Sequence, residues 1–418
     1  VELDAHFFRR EAGRLLASLT RVFGVRNLAL AQDVAQDALC RAWEVWKFSG
    51  VPENPSAWLS ATARRRAIDA FRRERTARTF APEIGRQLDS EWTLAPAVAE
   101  LFAESAIKDD LLRVMFSCCQ PKLPEQAQVM LILHTVCGFG IAEVAAAFLS
   151  SEAATEKRIA RAKQALASSK ALFELGRERE VARRLPAVQR ALYLLFNEGY
   201  HGASGESAIT EELCAEAIRL ARLLVGCGAT RTPGSRALLA LMCLHAARLP
   251  ARIDAEGNLS SLAQQDRSRW DRKLLAEGEH WLDESASGDE VSEYHFEAAI
   301  AALHARAART EDTDWRGIVA MYDRLFAMRP SPVIALNRAI AVAQAEGPER
   351  GLEAIARIED AKRLKKYPFF AAATGELELR AGRPERAQAH FLDAKSLARS
   401  AAERRYFDQR ARQCGRAG

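Results

Sequence analysis

The chain has 418 residues, of which 49% are hydrophobic and 28% charged. Such a composition folds, and such a length exceeds a single hydrophobic core and points to roughly two to four domains. The formal net charge of only +5 excludes a chain that binds polyanions over its whole surface, so any such binding must be local.

The charge is unevenly placed. Residues 1–80 carry 14 Lys/Arg against 9 Asp/Glu, residues 81–149 carry 4 against 9, and residues 150–184 carry 9 against 5. Two separated basic segments suit two nucleic-acid contacts, the alternative being ordinary solvated helix faces. Ala, Leu, Arg and Glu recur throughout and β-branched runs are scarce, which predicts an all-α protein. Eight cysteines form no CxxC pair and sit in apolar helical surroundings, where a free thiol acts as a small hydrophobe. With no signal-peptide pattern and no apolar run of membrane-spanning length, a reducing cytoplasm is the expected location, with no membrane partner.

In chain order, residues 1–80 read as a first helical domain. Phe7, Leu15, Leu16, Leu19 and Phe23 recur at helical spacing, Gly24 ends that helix, and Asn27 is placed to cap the next. Leu30 to Phe48 is a strong helix carrying Val34, Ala38, Trp43 and Trp46. Ser49–Pro55 is a break, after which Pro55-Ser56-Ala57-Trp58 opens the helix bearing the first basic run, Ala63 to Arg75. Residues 81–108, with Pro82 and Pro96, read as a linker. Residues 109–172 form a second compact unit with helices expected at 111–119, 125–136, 141–148 and 152–172. The last two, joined by a tight connection and with Ser150 or Ser151 as cap, have the helix-turn-helix form, whose second helix enters the major groove. An αα-hairpin has similar spacing. The cations Lys157, Arg158, Arg161 and Lys163 favour the DNA-binding reading.

Residues 173–418 are a large helical extension. Val333–Ile340 before Gly347-Pro348-Glu349-Arg350, and Phe369–Ala373 before Gly382-Arg383-Pro384-Glu385, read as one repeat. The two prolines are 36 positions apart, close to the period of tetratricopeptide-type helix pairs. Small residues at Ala335, Ala339, Ala341 and Ala343 would let paired helices approach closely, a plain helical bundle being the alternative. His201 near Asn197 and Glu198, and Asp266, Asp271 and His280, invite an enzymatic reading. No HExxH, phosphate-binding glycine loop or serine elbow accompanies them, and Cys/His spacing suits no metal site. Asn197-Glu198-Gly199-Tyr200 reads instead as a helix end with a glycine cap.

These residues carry a resemblance. Asp33-Val34-Ala35-Gln36-Asp37-Ala38-Leu39-Cys40-Arg41-Ala42-Trp43 and Trp58-Leu59-Ser60-Ala61-Thr62-Ala63-Arg64-Arg65-Arg66-Ala67-Ile68-Asp69 resemble region 2 of bacterial extracytoplasmic-function (ECF) sigma factors. Residues 121–168 resemble region 4, with Lys157–Lys163 like the end of its recognition helix. The remainder resembles the long, tetratricopeptide-like extension of one sigma-factor subgroup, through Tyr193–Tyr200, Gln265–Asp271 and Ser331–Ala339. One departure is Arg65, which stands where the family often has Asn. The resemblance implies a non-catalytic subunit of DNA-directed RNA polymerase, with no cofactor. Region 2 would bind the clamp of the largest core subunit and help open the −10 element. Region 4 would bind the −35 element and touch the flap of the second-largest subunit. The extension would regulate these units or bind a regulatory protein.

The expected −10 contacts are Arg64, Arg65, Arg66, Arg72, Arg73 and Arg75, whose planar guanidinium forks suit phosphate oxygens, with Trp58 beside them. Trp43, Trp46 and Trp58 suit stacking on unpaired bases, although a core role is favoured for all three. The expected −35 contacts are Thr155, Lys157, Arg158, Arg161 and Lys163, Thr155 or Arg158 reaching a base edge and Arg161 and Lys163 meeting phosphate. Asp33, Asp37 and Glu44, close to one helix face, are the expected polymerase contacts, a solvated face being the alternative. A stand-alone helix-turn-helix regulator or a tetratricopeptide scaffold is the competing function.

Overall fold

The computed structural model describes residues 5–77, 109–120, 122–168, 178–201, 210–253, 260–398 and 401–415. Helices dominate throughout, as the abundance of residues with low helical entropy cost requires. The expected linker at 81–108 lies outside the described residues. Two compact units divide the chain: residues 1–195 with 226–231, and residues 196–225 with 232–418.

In the first unit α1 (Ala5–Phe23), α2 (Leu28–Ser49) and α3 (Pro55–Ala77) pack mutually. Gly24 at φ +74° and Gly50 at φ +77° terminate the first two, in a left-handed conformation that glycine adopts without a Cβ penalty. Asn27 does not cap α2: its side-chain amide donates back to the Phe23 carbonyl instead, at 2.8 Å. The core of this trio gathers Leu16, Leu19, Ala31, Ala38, Leu59, Ala63 and Ala67, each essentially inaccessible to solvent.

The same unit continues with α4 (Asp110–Cys118), α5 (Glu125–Thr135), α6 (Ile141–Ala147) and α7 (Glu152–Ala167). Asp109 caps α4 by accepting from the Leu112 N–H at 3.0 Å. Ser151 caps α7 by accepting from the Ala154 N–H at 3.3 Å. The turn between α6 and α7 passes through Leu149 at φ +50°, an uncommon conformation for a side chain with a Cβ. Helix α8 (Glu178–His201) crosses from the first unit into the second and passes through Pro186 without ending.

The second unit holds α9 (Glu211–Gly226), α10 (Pro233–Ala246), α11 (Arg272–Ser285), α12 (Glu293–Arg306), α13 (Trp315–Met328), α14 (Pro332–Glu346), α15 (Pro348–Ala356), α16 (Pro368–Arg380), α17 (Pro384–Ser396) and α18 (Ala401–Cys414). From α12 onward each helix packs on the next, so chain neighbours are spatial neighbours. The repeated segments are the pairs α14–α15 and α16–α17, with Pro348 and Pro384 both at helix starts. Gly351 explains the close approach within the first pair: a Cβ there would collide with the Ala343 Cβ. Gly199 lies inside α8, not at its end. A Cβ there would fall 2.8 Å from the Thr210 carbonyl oxygen, so this glycine admits the start of α9 and is not a cap.

Candidate nucleic-acid interface

Helix α3 buries Leu59, Ala63 and Ala67 along one stripe at i, i+4 and i+8. The stripe turns Arg65 to the opposite, solvent-facing side and leaves Arg64 and Arg66 half-buried on its flanks. Trp58, seven residues before Arg65, shares the outer side, and its ring meets Trp46 edge-on at 5.3 Å. Arg72, Arg73 and Arg75 lie on α3, but their side chains fall outside the described residues.

The aromatic expectations divide. Trp46 is a core residue, 6% exposed, between Phe7, Phe8 and Trp58. Trp43 is not core, a correction to the expectation: its ring leans on Phe8 but remains 68% exposed, and Phe48, five residues on, is 86% exposed. Neither ring falls on the buried stripe of α2, which is Val34, Ala38, Ala42 and Trp46. Asp33, Asp37 and Glu44 are all exposed, Glu44 pairing with Arg41 at 3.0 Å.

On α7 the buried stripe is Thr155, Ile159, Ala162 and Leu166. Thr155, expected to reach a base edge, thus lies on the inward side of the helix. It is fully buried, and its hydroxyl has no hydrogen-bond partner among the described residues. Lys157 and Arg161, four residues apart, lie opposite this stripe and are exposed. Arg158 flanks it, exposed, with its guanidinium 3.4 Å from the Gln126 side chain of α5. Lys163 occupies the other flank and is half-buried. Its burial lowers the ammonium pKa, and the Asp33 carboxylate of α2 pulls it back up.

That proximity reveals an arrangement no motif indicated: within the first unit the two basic helices sit on motifs packed against each other. Helix α1 packs on α4, and α7 packs on α2 and on the turn at residues 25–27. Arg9 of α1 donates to Glu143 at 3.0 Å while its guanidinium lies over the Phe139 ring, 5.5 Å from the centroid. Glu143 also accepts from the Gly140 N–H at 2.6 Å, so one carboxylate both caps α6 and holds α1. Arg21 donates to Asp110 at 3.1 Å. Gly13 makes the backbones meet: a Cβ there would lie 2.8 Å from the Val136 carbonyl oxygen. Arg184 at the start of α8 donates to the Phe116 carbonyl at 3.3 Å and pairs with Glu180 at 3.3 Å. The first turns of the extension are thus bonded to α4. Burial lowers the Arg184 pKa, opposed by Glu180.

Among the described residues no helix is long and apolar enough to cross a membrane, and no three His, Cys, Asp or Glu side chains gather as a metal site. The chemistry on offer is cation on anion, from two helices on separate motifs.

Comparison with known proteins agrees with this division. Residues 7–77 match the family model for sigma-70 region 2, and residues 113–166 match that for sigma-70 region 4. Residues 184–286 match a family of unknown function, DUF6596. An uncharacterized protein of Rhizobium meliloti (strain 1021) is 38% identical over 393 residues, covering 94% of this chain and 91% of the relative. A stand-alone helix-turn-helix regulator has no use for region 2, so that alternative is disfavoured. With both sigma regions present in order and a helical extension following them, the chain belongs to the sigma-70 family as an ECF-type RNA polymerase sigma factor.

Proposed function

We propose that α3 and α7 contact one promoter at two places while core polymerase holds their motifs apart. Arg64, Arg65, Arg66, Arg72, Arg73 and Arg75, with Trp58, serve the −10 element. Lys157, Arg158, Arg161 and, once uncovered, Lys163 serve the −35 element. Asp33, Asp37 and Glu44 face the largest-subunit clamp, and the region 4 unit meets the flap of the second-largest subunit. The observation that carries the reading is the exposed pair Lys157 and Arg161 on a capped second helix of a helix-turn-helix, in a chain whose other basic helix exposes Arg65.

Geometry adds a requirement. Elements named for positions −10 and −35 are separated by about 25 base pairs, or about 85 Å of B-form duplex at 3.4 Å per pair. Motifs that share the Arg9–Glu143 and Arg21–Asp110 pairs cannot span it. The packed first unit is therefore the form free of promoter, and binding to core separates its two motifs. Asp33 and Lys163, assigned to different partners, are released together.

Reconstituted transcription with core polymerase over a promoter library tests this. Arg161→Ala should weaken initiation from promoters that depend on the −35 element, and Arg65→Ala should weaken opening. Each loss should shrink as salt is raised, because phosphate contacts release counterions. Normal initiation by the double variant would refute the assignment.

The extension acts on this separation or offers a surface to a regulatory protein. The Arg184 bond to α4 supports that role. A chain ending after His201, which keeps α8 whole, should change promoter-dependent transcription in cells. Unchanged transcription at equal protein abundance would defeat it. The chain works in the cytoplasm, where core polymerase and promoter are found.

A further inference from the structure

The second unit contains a concentration of positive charge that promoter recognition does not use. We propose that Arg248, Arg252 and Arg267, with Trp270 and His304, form a binding site for a small anion bearing phosphoryl or carboxylate oxygens. Arg248 and Arg252 lie on the turn that follows α10, Arg267 and Trp270 in the 262–270 segment, and His304 near the end of α12.

Arg248 and Arg267 both lie over the Trp270 ring. Their guanidinium carbons lie 5.6 and 4.9 Å from the Trp270 ring centroid. Arg252 lies 4.0 Å from the centroid of the Tyr200 ring. All three arginines are half-buried, neither solvated freely nor sealed off. None forms an ion pair with a carboxylate among the described residues. Their neutral partners are few. Arg248 donates to the Gln265 side chain at 3.3 Å, and Arg267 donates through one nitrogen to the His304 and Ala307 carbonyls. The other terminal nitrogen of Arg267, the Nε of Arg252 and the Nδ1 of His304 are buried without a hydrogen-bond partner among the described residues.

The nearby acids supply only part of the missing charge: Glu311 and Asp312 raise the Arg267 pKa, against the larger lowering by burial. Asp312 pairs with Arg309 at 3.0 Å, and both Asp312 and Glu311 are exposed. Glu403 follows Ala402, which packs on Leu249 and Ile253, and has interactions of its own. Arg248 and Arg267 together help hold the His304 pKa down at about 4, after burial as the larger cause. The ring is therefore neutral near pH 7 and has one nitrogen able to donate to an oxyanion.

Partly desolvated cations without counter-ions are costly, and an anion accepting several of their N–H groups relieves that cost. Aromatic stacking fixes the guanidinium planes in advance, so little entropy is lost when the anion arrives. The Gln265–Asp271 segment, which helped reveal the family resemblance, thereby acquires a chemical role.

Isothermal titration of the full chain with inorganic phosphate, and separately with succinate, at constant ionic strength in chloride, tests the site. Saturable binding of either probe is expected. Phosphate alone would indicate a phosphoryl ligand, and succinate alone a carboxylate. Arg248→Gln and Arg252→Gln should each weaken binding about tenfold or more, and Arg269→Gln, an exposed neighbour, should not. If neither probe binds the unaltered chain saturably, or if both cluster variants bind as well as Arg269→Gln, the site does not exist. The first of these outcomes stands even if a variant fails to fold.

Discussion

Gly13→Ala tests the packed first unit directly. Within α1 alone the change is favourable, since alanine in a helix interior exceeds glycine by about 1 kcal/mol. The added methyl, however, would lie 2.8 Å from the Val136 carbonyl oxygen, and the facing atom is backbone that cannot swing aside. Overpacking of this kind costs about 1–3 kcal/mol, charged only to the form in which α1 and the α5 end touch. The separated form escapes it, so the packed:separated ratio should fall by roughly 5- to 150-fold, at about 1.4 kcal/mol per factor of ten. Energy transfer between labels on Cys40 of α2 and on Arg161→Cys of α7 reads the separation. Cys40 is the exposed native thiol among those described, and the half-exposed Cys227 is replaced by serine. Transfer efficiency should drop in Gly13→Ala without core polymerase and converge with the parent when core is added. Unchanged transfer together with raised thermal stability would mean that only the helix responded, and the packed unit would not be the solution form.

Three further outcomes follow from individual side chains. Thr155→Val removes a buried hydroxyl that has no partner among the described residues, so it should leave −35 binding intact and be neutral or stabilising by up to about 1 kcal/mol in chemical denaturation. Weakened promoter binding would return Thr155 to the DNA face. Gly199→Ala should destabilise the second unit by about 1–3 kcal/mol, because a methyl meets the Thr210 carbonyl and the start of α9. A rise in its melting temperature would show that the close approach relaxes freely. His304 has a folded-state pKa of about 4 against an ordinary 6.5, so the unfolded chain binds its proton first. Stability from this group is fully present above about pH 6.5 and is lost as pH falls toward 4, and His304→Gln should flatten that part of the melting profile. A variant profile identical to the parent's would remove His304 as the cause.

Helix positions were legible because their signals are local. The expected segments at 30–48, 125–136 and 141–148 correspond to α2, α5 and α6 within two residues at each end. The burial of Thr155 was legible in the pattern: it stands four residues before Ile159, on the stripe shared with Ala162 and Leu166. Trp43 was misread. Its apolar helical neighbours suggested the core, but α2 directs Ala42 and Trp46 inward and leaves Trp43 beside Glu44 on the outer face. The contact between the two DNA-binding motifs had no local signature. Arg9 and Glu143 are 134 residues apart, and Gly13 in a helix looks like a weak position until its neighbour across the contact is known. Gly199 misled for the same reason, a close approach to Thr210 imitating a cap. The arginine cluster was hidden in plain composition, since neither the spacing of Arg248 and Arg267 nor their charge reveals that they share an indole.

The two outward-facing rings of α2 affect the chain's life before it meets a partner. An indole and a phenyl ring held in water forgo about 1.5–3 kcal/mol each that burial would return. That unspent free energy favours any surface able to cover Trp43 and Phe48, including another molecule of the same chain at high concentration. Crowding a preparation should bring self-association before unfolding, and substituting these two positions with polar residues should raise the solubility limit at the expense of whatever normally shelters them.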